Sequence, residues 1–293
     1  MQNLTIHLNQ PEGSKYGPQI IELIRIIDEI KINDDKEKIV FDFFKITFVR
    51  PLFILTLAGL IYKLRREGRT VSCINDTRDY LNLIYFNEGL KPDEHPDWKN
   101  LLLKYSSKNY LPILNFPTSK NEKDVKIRND SLSCLNQIIQ KKLSLDANTY
   151  NAVSYLISEM TDNISDHSGE DRGWLLAQYY PEEKFIDICI LDTGKTILNS
   201  YLDNGFHEIG SQVEAIQKAT EGLSTKDKDR GKGIPTTRRL IVNGMSGKFG
   251  LVSGNAILQN EKITSLPSFW QGTFLALRVP QKPVDFNFYK YLE

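Results

Sequence analysis

The stretch Glu159-Met-Thr-Asp-Asn163-Ile-Ser-Asp-His167 decides how this chain is interpreted. Glu159, Asn163 and His167 recur every four residues, so on a helix they form one polar stripe. A second stripe on the same segment is apolar and consists of Val153, Ile157, Met160 and Ile164. We therefore expect a helix that follows an N-cap at Asp146, continues through His167 and carries polar groups beside a buried face.

The polar stripe has residue types suited to phosphate chemistry. A carboxylate such as Glu159 can polarise a water for attack on phosphorus. The carboxamide oxygen of Asn163 is a suitable single ligand for Mg²⁺, which otherwise keeps waters and phosphate oxygens. His167 continues the stripe by one turn, near where phosphates would lie. Taken alone, such a stripe is more typical of a solvated helix face.

A second motif, Asp192-Thr-Gly194, follows the apolar segment Phe185–Leu191. An acid at the end of a buried strand needs a partner, and an adenine amino group is a suitable one. Gly194 would let a flat ring approach the backbone closely. Taken alone, the motif also fits an ordinary turn after a strand.

A third motif, Arg230-Gly-Lys-Gly-Ile234, leads into a predicted helix. Backbone N–H groups at a helix start bind phosphate, and Gly231 and Gly233 allow the close approach that this requires. Ile234 would then be the first apolar residue of the helix. The competing interpretation is a charged surface loop.

Further candidates flank these motifs. Lys226, Arg230 and Lys232 lie in a polar stretch from which they would reach the β- and γ-phosphates as a lid closes. The hydroxyl of Thr273, at the start of a late strand, would share adenine recognition with Asp192 through a water.

Composition excludes several classes of protein. The chain has 293 residues, enough for two ordinary domains, and equal numbers of basic and acidic residues, 37 each. This balance argues against nucleic acid or an anionic membrane as a partner. The longest apolar run, Pro51 to Tyr62, is too short to span a bilayer, and the first residues do not resemble a signal peptide. Three scattered cysteines argue against a disulfide framework or a zinc site. We expect a cytoplasmic protein.

The N-terminal third alternates strand and helix patterns, which favours a small α/β domain ending near residue 105. The predicted strands are Leu4–Leu8, Lys38–Phe44 and Thr70–Ile74, and the predicted helices are Ile20–Ile32 and Pro51–Arg66.

The remainder predicts a second domain in which a sheet packs against helices. Its predicted strands are Leu111–Phe116, Trp174–Tyr180, Phe185–Leu191, Lys248–Ser253, Ala256–Gln259 and Thr273–Val279. Besides the helix from Asp146, its predicted helices are Ser131–Lys142, Glu208–Thr220 and Ile234–Val242. Residues 119–124 are predicted as a charged loop.

Set in order, these motifs make the second domain resemble a GHKL (Bergerat-fold) ATPase. That family carries Glu and Asn on one helix, Asp-x-Gly after a strand, a lid ending in Gly-x-Gly and a late Gly-Thr. The resemblance implies ATP and Mg²⁺ as cofactors. It also implies Glu159 as general base, Asn163 as Mg²⁺ ligand, Asp192 as adenine reader, and Gly231 and Gly233 as lid glycines.

Within the family the anti-sigma-factor serine kinase type is the most similar, because its first motif also continues to a histidine. One position departs from the family: Thr196 stands where glycine or alanine is common. The N-terminal domain resembles a STAS domain, but Arg50-Pro51 stands where phosphorylatable members have Asp-Ser. This implies a fixed docking or dimerisation surface rather than a phosphorylation switch.

The expected fold is therefore α/β and α+β in two domains. A small STAS-like α/β domain (1–104) precedes a two-layer α/β sandwich of the Bergerat fold (105–293). The expected function is an ATP-binding regulatory protein that hydrolyses ATP slowly and couples lid closure to a protein partner or a homodimer. Two alternatives stay open: a protein serine/threonine kinase acting on a STAS-like partner, and a non-hydrolysing nucleotide-sensing scaffold.

Overall fold

The structure is a computed structural model that describes residues 3–76, 79–225, 233–283 and 286–291. The strands in these ranges are β1 (Asn3–His7), β2 (Lys38–Asp42), β3 (Thr70–Ile74), β4 (Leu114–Pro117), β5 (Arg172–Tyr180), β6 (Phe185–Leu191), β7 (Lys248–Gln259) and β8 (Lys262–Pro280). The helices are α1 (Tyr16–Ile32), α2 (Pro51–Arg66), α3 (Tyr80–Leu83), α4 (Trp98–Leu103), α5 (Glu122–Leu143), α6 (Ala147–His167), α7 (Ile197–Asp203), α8 (Gln212–Glu221) and α9 (Gly233–Arg239). A π-helical turn, Leu240–Gly244, continues α9.

The fold is mixed α/β with two separate sheets. The first is parallel with the strand order β1-β2-β3, and the second is antiparallel with the order β4-β5-β6-β8-β7. In the first sheet, α1 and α2 are the two crossovers, and successive crossovers of the same hand place both helices on one face. Leu4, Ile39 and Val71 are aligned across the three strands and all buried, so they form the inner side of that face.

Helix α2 is buried around its whole circumference over residues 51–61. Its first residue is a proline, which suits the first turn because that backbone nitrogen needs no partner. Gly68, with a φ of +87°, follows the end of the helix. A helix that is apolar on every side must be covered on every side, and α2 lies between the two sheets.

The antiparallel sheet is covered on both faces because its strands alternate between two cores. Trp174 and Leu176 of β5 belong to the core that α1 and α2 share with the parallel sheet. Leu175 and Ala177 belong to a second core with α5 and α6. The order of layers is therefore three-stranded sheet, α1 with α2, five-stranded sheet, and α5 with α6. The division into two domains near residue 105 stays a prediction.

Most of the predicted elements are present, but several differ. The short helices α3 and α4 were not predicted, and the two strands predicted at Lys248–Ser253 and Ala256–Gln259 form the single strand β7. Helix α5 begins at Glu122 rather than Ser131, because the Asn121 side chain accepts the Asp124 N–H and caps the helix inside the predicted charged loop. Strand β8 begins at Lys262 rather than Thr273. The predicted strand Leu111–Phe116 lies instead at residues 114–117, and α7 was not expected.

Strand β7 lies at the edge of its sheet, and the backbone groups of its residue Phe249 are hydrogen-bonded to Asn260. The backbone N–H of Asn260 donates to Phe249 O (2.8 Å), and the Asn260 Oδ1 accepts the Phe249 N–H (3.0 Å). Asn260 thus provides hydrogen-bond partners for the N–H and the C=O of Phe249 on the edge strand. Among the residues that the structure describes, no helix is both long and apolar enough to cross a membrane.

Candidate functional site

A cavity lies between the antiparallel sheet and helices α6, α7, α8 and α9. It encloses about 920 Å³ of empty space, including the part open to solvent. Its floor is apolar and comes from Ile190, Leu251 and Leu275 on three neighbouring strands. Six of the residues predicted for the site line it: Asn163, His167, Asp192, Gly233, Ile234 and Thr273.

Helix α6 supplies one wall of the cavity. It begins where predicted, because the Asp146 side chain accepts the Thr149 N–H at 3.1 Å. Glu159 and Asn163 are half-buried on the side of α6 that meets α9. A Cβ atom built at Gly233 would lie 2.9 Å from Glu159 Oε2 and 3.1 Å from Asn163 Nδ2. Gly233, the first residue of α9, therefore lies next to both the predicted base and the predicted metal ligand.

Asp192 lies at the inner end of the cavity, where β6 ends. Asp192 is buried, with 3% of its surface exposed. Its backbone N–H donates to Thr273 O (2.9 Å), and its Oδ1 accepts the Gly194 N–H (2.9 Å). Burial raises the pKa of the Asp192 carboxyl from its ordinary 3.8 to about 7, although the N–H groups of Gly194 and Thr273 act in the opposite direction. The cost of removing the charge from water therefore outweighs these two hydrogen bonds.

Two glycines allow the chain to pack tightly behind Asp192. A Cβ atom at Gly194 would lie 2.1 Å from Ser168 O, and one at Gly272 would lie 2.3 Å from Asp192 O. Gly272 also has a φ of +99°, which an L side chain rarely adopts. The close contact with Ser168 explains why residue 194 is a glycine. Gly194 itself lines a neighbouring groove rather than this cavity.

The hydroxyl of Thr273 is hydrogen-bonded to that of Ser253, a residue that was not predicted from the sequence. Ser253 Oγ lies 3.2 Å from Thr273 Oγ1, donates to Gly272 O (3.2 Å) and accepts the Ile197 N–H (2.9 Å). Ser253 comes from β7 and is fully buried. This hydroxyl therefore joins β7, β8 and the start of α7 beside the carboxylate of Asp192.

His167, at the end of α6, connects two segments of the cavity wall. Its Nδ1 lies 3.4 Å from Ser200 Oγ of α7 and 3.3 Å from Thr225 Oγ1. All three residues line the cavity. Lys226, Arg230, Gly231 and Lys232, also predicted for the site, lie outside the described residues.

Helices α7 and α8 form the outer wall. A helix was predicted at Glu208–Thr220, close to α8, whereas α7 was not predicted. Tyr201, Ile209, Ala215 and Ala219 make a small core of their own between these helices. Thr196 begins this wall: its Oγ1 accepts the Asn199 N–H (3.2 Å) as the cap of α7 and a hydrogen bond from Gln212 Nε2 (3.1 Å). Thr196 thus has a structural role here, as the cap of α7 and the partner of Gln212.

No protein-family model matches the chain, and the curated proteins contain no match to it either.

The geometry supports a division of the cavity by chemistry. Its inner end offers a buried carboxylate above an apolar floor, which suits a flat ring with hydrogen-bond donors on one edge. Its α6 wall offers the carboxamide of Asn163 and the imidazole of His167, with the carboxylate of Glu159 adjoining. These groups suit a metal-bound phosphate chain.

Proposed function

We propose that the chain is a regulatory protein that binds Mg-ATP in this cavity, hydrolyses it slowly and couples nucleotide occupancy to a protein partner or a homodimer. One observation carries the proposal. Asp192, at the end of β6, and Asn163 and His167, on α6, line the same cavity although they are far apart in sequence.

The inner end of the cavity suits adenine. The exocyclic amino group would donate to the Asp192 carboxylate, and the hydroxyl of Thr273, supported by Ser253, would complete the edge contact through a water. The ring would rest on the apolar floor of the sheet. An amino group bound in this way would add a donor to the N–H groups of Gly194 and Thr273 and so favour the charged carboxylate.

The α6 wall suits the triphosphate. Asn163 would supply one oxygen ligand to Mg²⁺, which takes its other ligands from waters and phosphate oxygens. Glu159 adjoins Asn163 at Gly233 and would accept a proton from the attacking water. His167 would contact the phosphate chain from the next turn of α6.

We also propose a specific fold type for each of the two parts of the chain. The second unit would be a Bergerat-type two-layer sandwich, and the first would be a STAS-like unit that serves as a docking surface. The five-stranded antiparallel sheet with α5 and α6 on one face supports the first part. The parallel β-α-β-α-β unit supports the second.

Titration of the chain with a non-hydrolysable ATP analogue, with and without Mg²⁺, tests binding. A phosphate-release assay with ATP then tests turnover. We expect saturable binding that Mg²⁺ strengthens, followed by slow release of phosphate. Failure of the analogue to bind under both conditions would contradict the proposal.

A further inference from the structure

Helix α2 extends along the back of the hairpin formed by β5 and β6. Just before α2, the Arg50 guanidinium lies 4.6 Å from the centre of the Tyr180 ring and 3.5 Å from Glu183 Oε1, at the turn of the hairpin. At the other end of α2, Arg66 forms an ion pair with Glu170, just before β5. The helix is therefore attached to both ends of the hairpin.

Between these ends, α2 contacts the residues on either side of Asp192. A Cβ atom at Gly59 would lie 2.4 Å from Leu191 Cδ2 and 3.6 Å from Thr193 Cγ2. Glycine at this position lets the α2 backbone approach the end of β6 more closely than any other residue would allow. The carboxylate of Asp192 is thus supported from behind, on the side opposite the cavity.

A second chain of contacts connects α2 to the same carboxylate. Arg66 pairs with Glu170, and a Cβ atom at Gly194 would lie 2.8 Å from Glu170 Cγ. The N–H of Gly194 in turn donates to Asp192 Oδ1. Displacement of α2 would therefore move the residues before and after Asp192 together.

We propose that α2 positions Asp192, so that the N-terminal unit sets the nucleotide affinity of the cavity. Gly59 and Arg66 are positioning residues, since they contact neighbours of Asp192 rather than the cavity itself. A partner that shifts α2 on the sheet then changes nucleotide affinity, and nucleotide changes partner affinity by the same factor. The inference rests on the proposed function.

Gly59→Ala tests the first contact. The added methyl group has to displace Leu191, and we expect nucleotide affinity to fall about tenfold, a typical coupling between residues in contact. Leu191→Val removes the Cδ atoms, so Gly59→Ala/Leu191→Val should recover most of the affinity, with Leu191→Val alone as the control. Affinity in Gly59→Ala equal to that of the wild type, at a lower unfolding temperature, assigns Gly59 a structural role only and overturns the proposal.

Two neighbouring arginines provide a matched pair for the second contact. Arg66 bonds Glu170 near the cavity, whereas Arg65 bonds Asn87 and the Val71 carbonyl within the N-terminal part of the chain. We expect Arg66→Ala to weaken nucleotide binding severalfold and Arg65→Ala to leave it unchanged, even where both lower the unfolding temperature. Equal affinities in the two variants overturn the inference. A wild-type chain that binds no nucleotide overturns the proposed function as well, so the two failures are distinguishable.

Discussion

A methyl group at position 233 would lie 2.9 Å from Oε2 of Glu159. The same methyl group would lie 3.1 Å from Nδ2 of Asn163, so Gly233 is the point at which α9 meets both polar groups of α6. Side-chain ends can rotate away from such a contact, whereas backbone cannot. A substitution here should therefore disturb the positions of the two side chains more than it disturbs the fold.

Gly233→Ala should lower the rate of phosphate release more than it lowers nucleotide affinity. The displaced carboxylate of Glu159 loses its alignment with the attacking water, and small displacements in a reacting geometry cost about a hundredfold in rate. Gly17→Ala is the matched control, because nothing lies within 4 Å of a Cβ atom there. Equal rates in Gly233→Ala and wild type would show that position 233 has no part in the chemistry.

Glu159→Ala should bind ATP nearly as well as the wild type and release phosphate about a hundredfold to ten-thousandfold more slowly, the usual contribution of a general base. Asp166→Ala on the same helix is the control, since Asp166 pairs with Lys120 instead. ATP labelled on the γ-phosphate also shows where the label goes. Label on a protein rather than in free phosphate would favour the kinase alternative, and unchanged turnover would remove Glu159 from its assigned role.

Nucleotide affinity should fall as the pH drops below about 7. The folded, unliganded protein holds a proton on Asp192 up to a pKa of about 7, and only the ionised carboxylate accepts hydrogen bonds with both oxygens. Binding of an amino group therefore competes with that proton. Titrations between about pH 5.5 and about pH 8.5, roughly one and a half pH units either side of this pKa, check the effect. Affinity that is flat over this range would contradict the role of Asp192.

The same carboxyl group should reduce the stability of the unliganded protein at high pH. Because its folded pKa is above the unfolded value, the folded state binds the extra proton, and stability falls as pH rises from about 4 to about 7. Asp192→Asn should therefore raise the free energy of unfolding at pH 8, by at most about 4 kcal/mol, and change it little at pH 4. Urea unfolding at the two pH values measures this difference, and a variant that is destabilised more at pH 8 than at pH 4 would contradict the expectation.

A buried ion pair connects the antiparallel sheet to the segment just before α1, and breaking one half of it should destabilise the fold. Arg278 bonds both carboxylate oxygens of Asp187 (2.7 and 2.8 Å) and donates to Ser14 O (3.0 Å). Arg278→Met leaves the Asp187 carboxylate buried without this partner and should cost about 3–5 kcal/mol. Asp187→Leu/Arg278→Met should cost less than Arg278→Met alone. Chemical unfolding of both variants checks the order, and a larger cost for the double variant would contradict it.

Local signals predicted much of the fold. The cap at Asp146 and the two stripes of α6 lie within one short segment, so the sequence contains what forms that helix. The same is true of α2, whose apolar run and N-terminal proline are local. That both faces of α2 are covered, one by each sheet, depends on residues such as Trp174 that lie far away in sequence, and no local pattern indicates it.

The candidate site likewise contains residues that local sequence indicates and residues that only the tertiary fold reveals. The motif residues Asn163 and Asp192 were identifiable because their chemistry and their places on a helix and a strand are local. Helix α7 was missed because it is only seven residues long and depends on the distant Gln212 to hold its cap. Ser253 was missed because its function depends on β7 lying beside β8, which only the tertiary fold brings about.

The most direct test of the account is calorimetric titration of wild type, Asp192→Asn and Asp203→Asn with a non-hydrolysable ATP analogue and Mg²⁺ at pH 8. Asp203 is the control because it is half-exposed and pairs with Lys195. We predict saturable binding to the wild type and to Asp203→Asn, and about a hundredfold weaker binding to Asp192→Asn, the typical effect of losing a buried, charged hydrogen-bond partner. Equal affinity in all three proteins, or no binding to the wild type, would contradict the assignment of this cavity to a nucleotide.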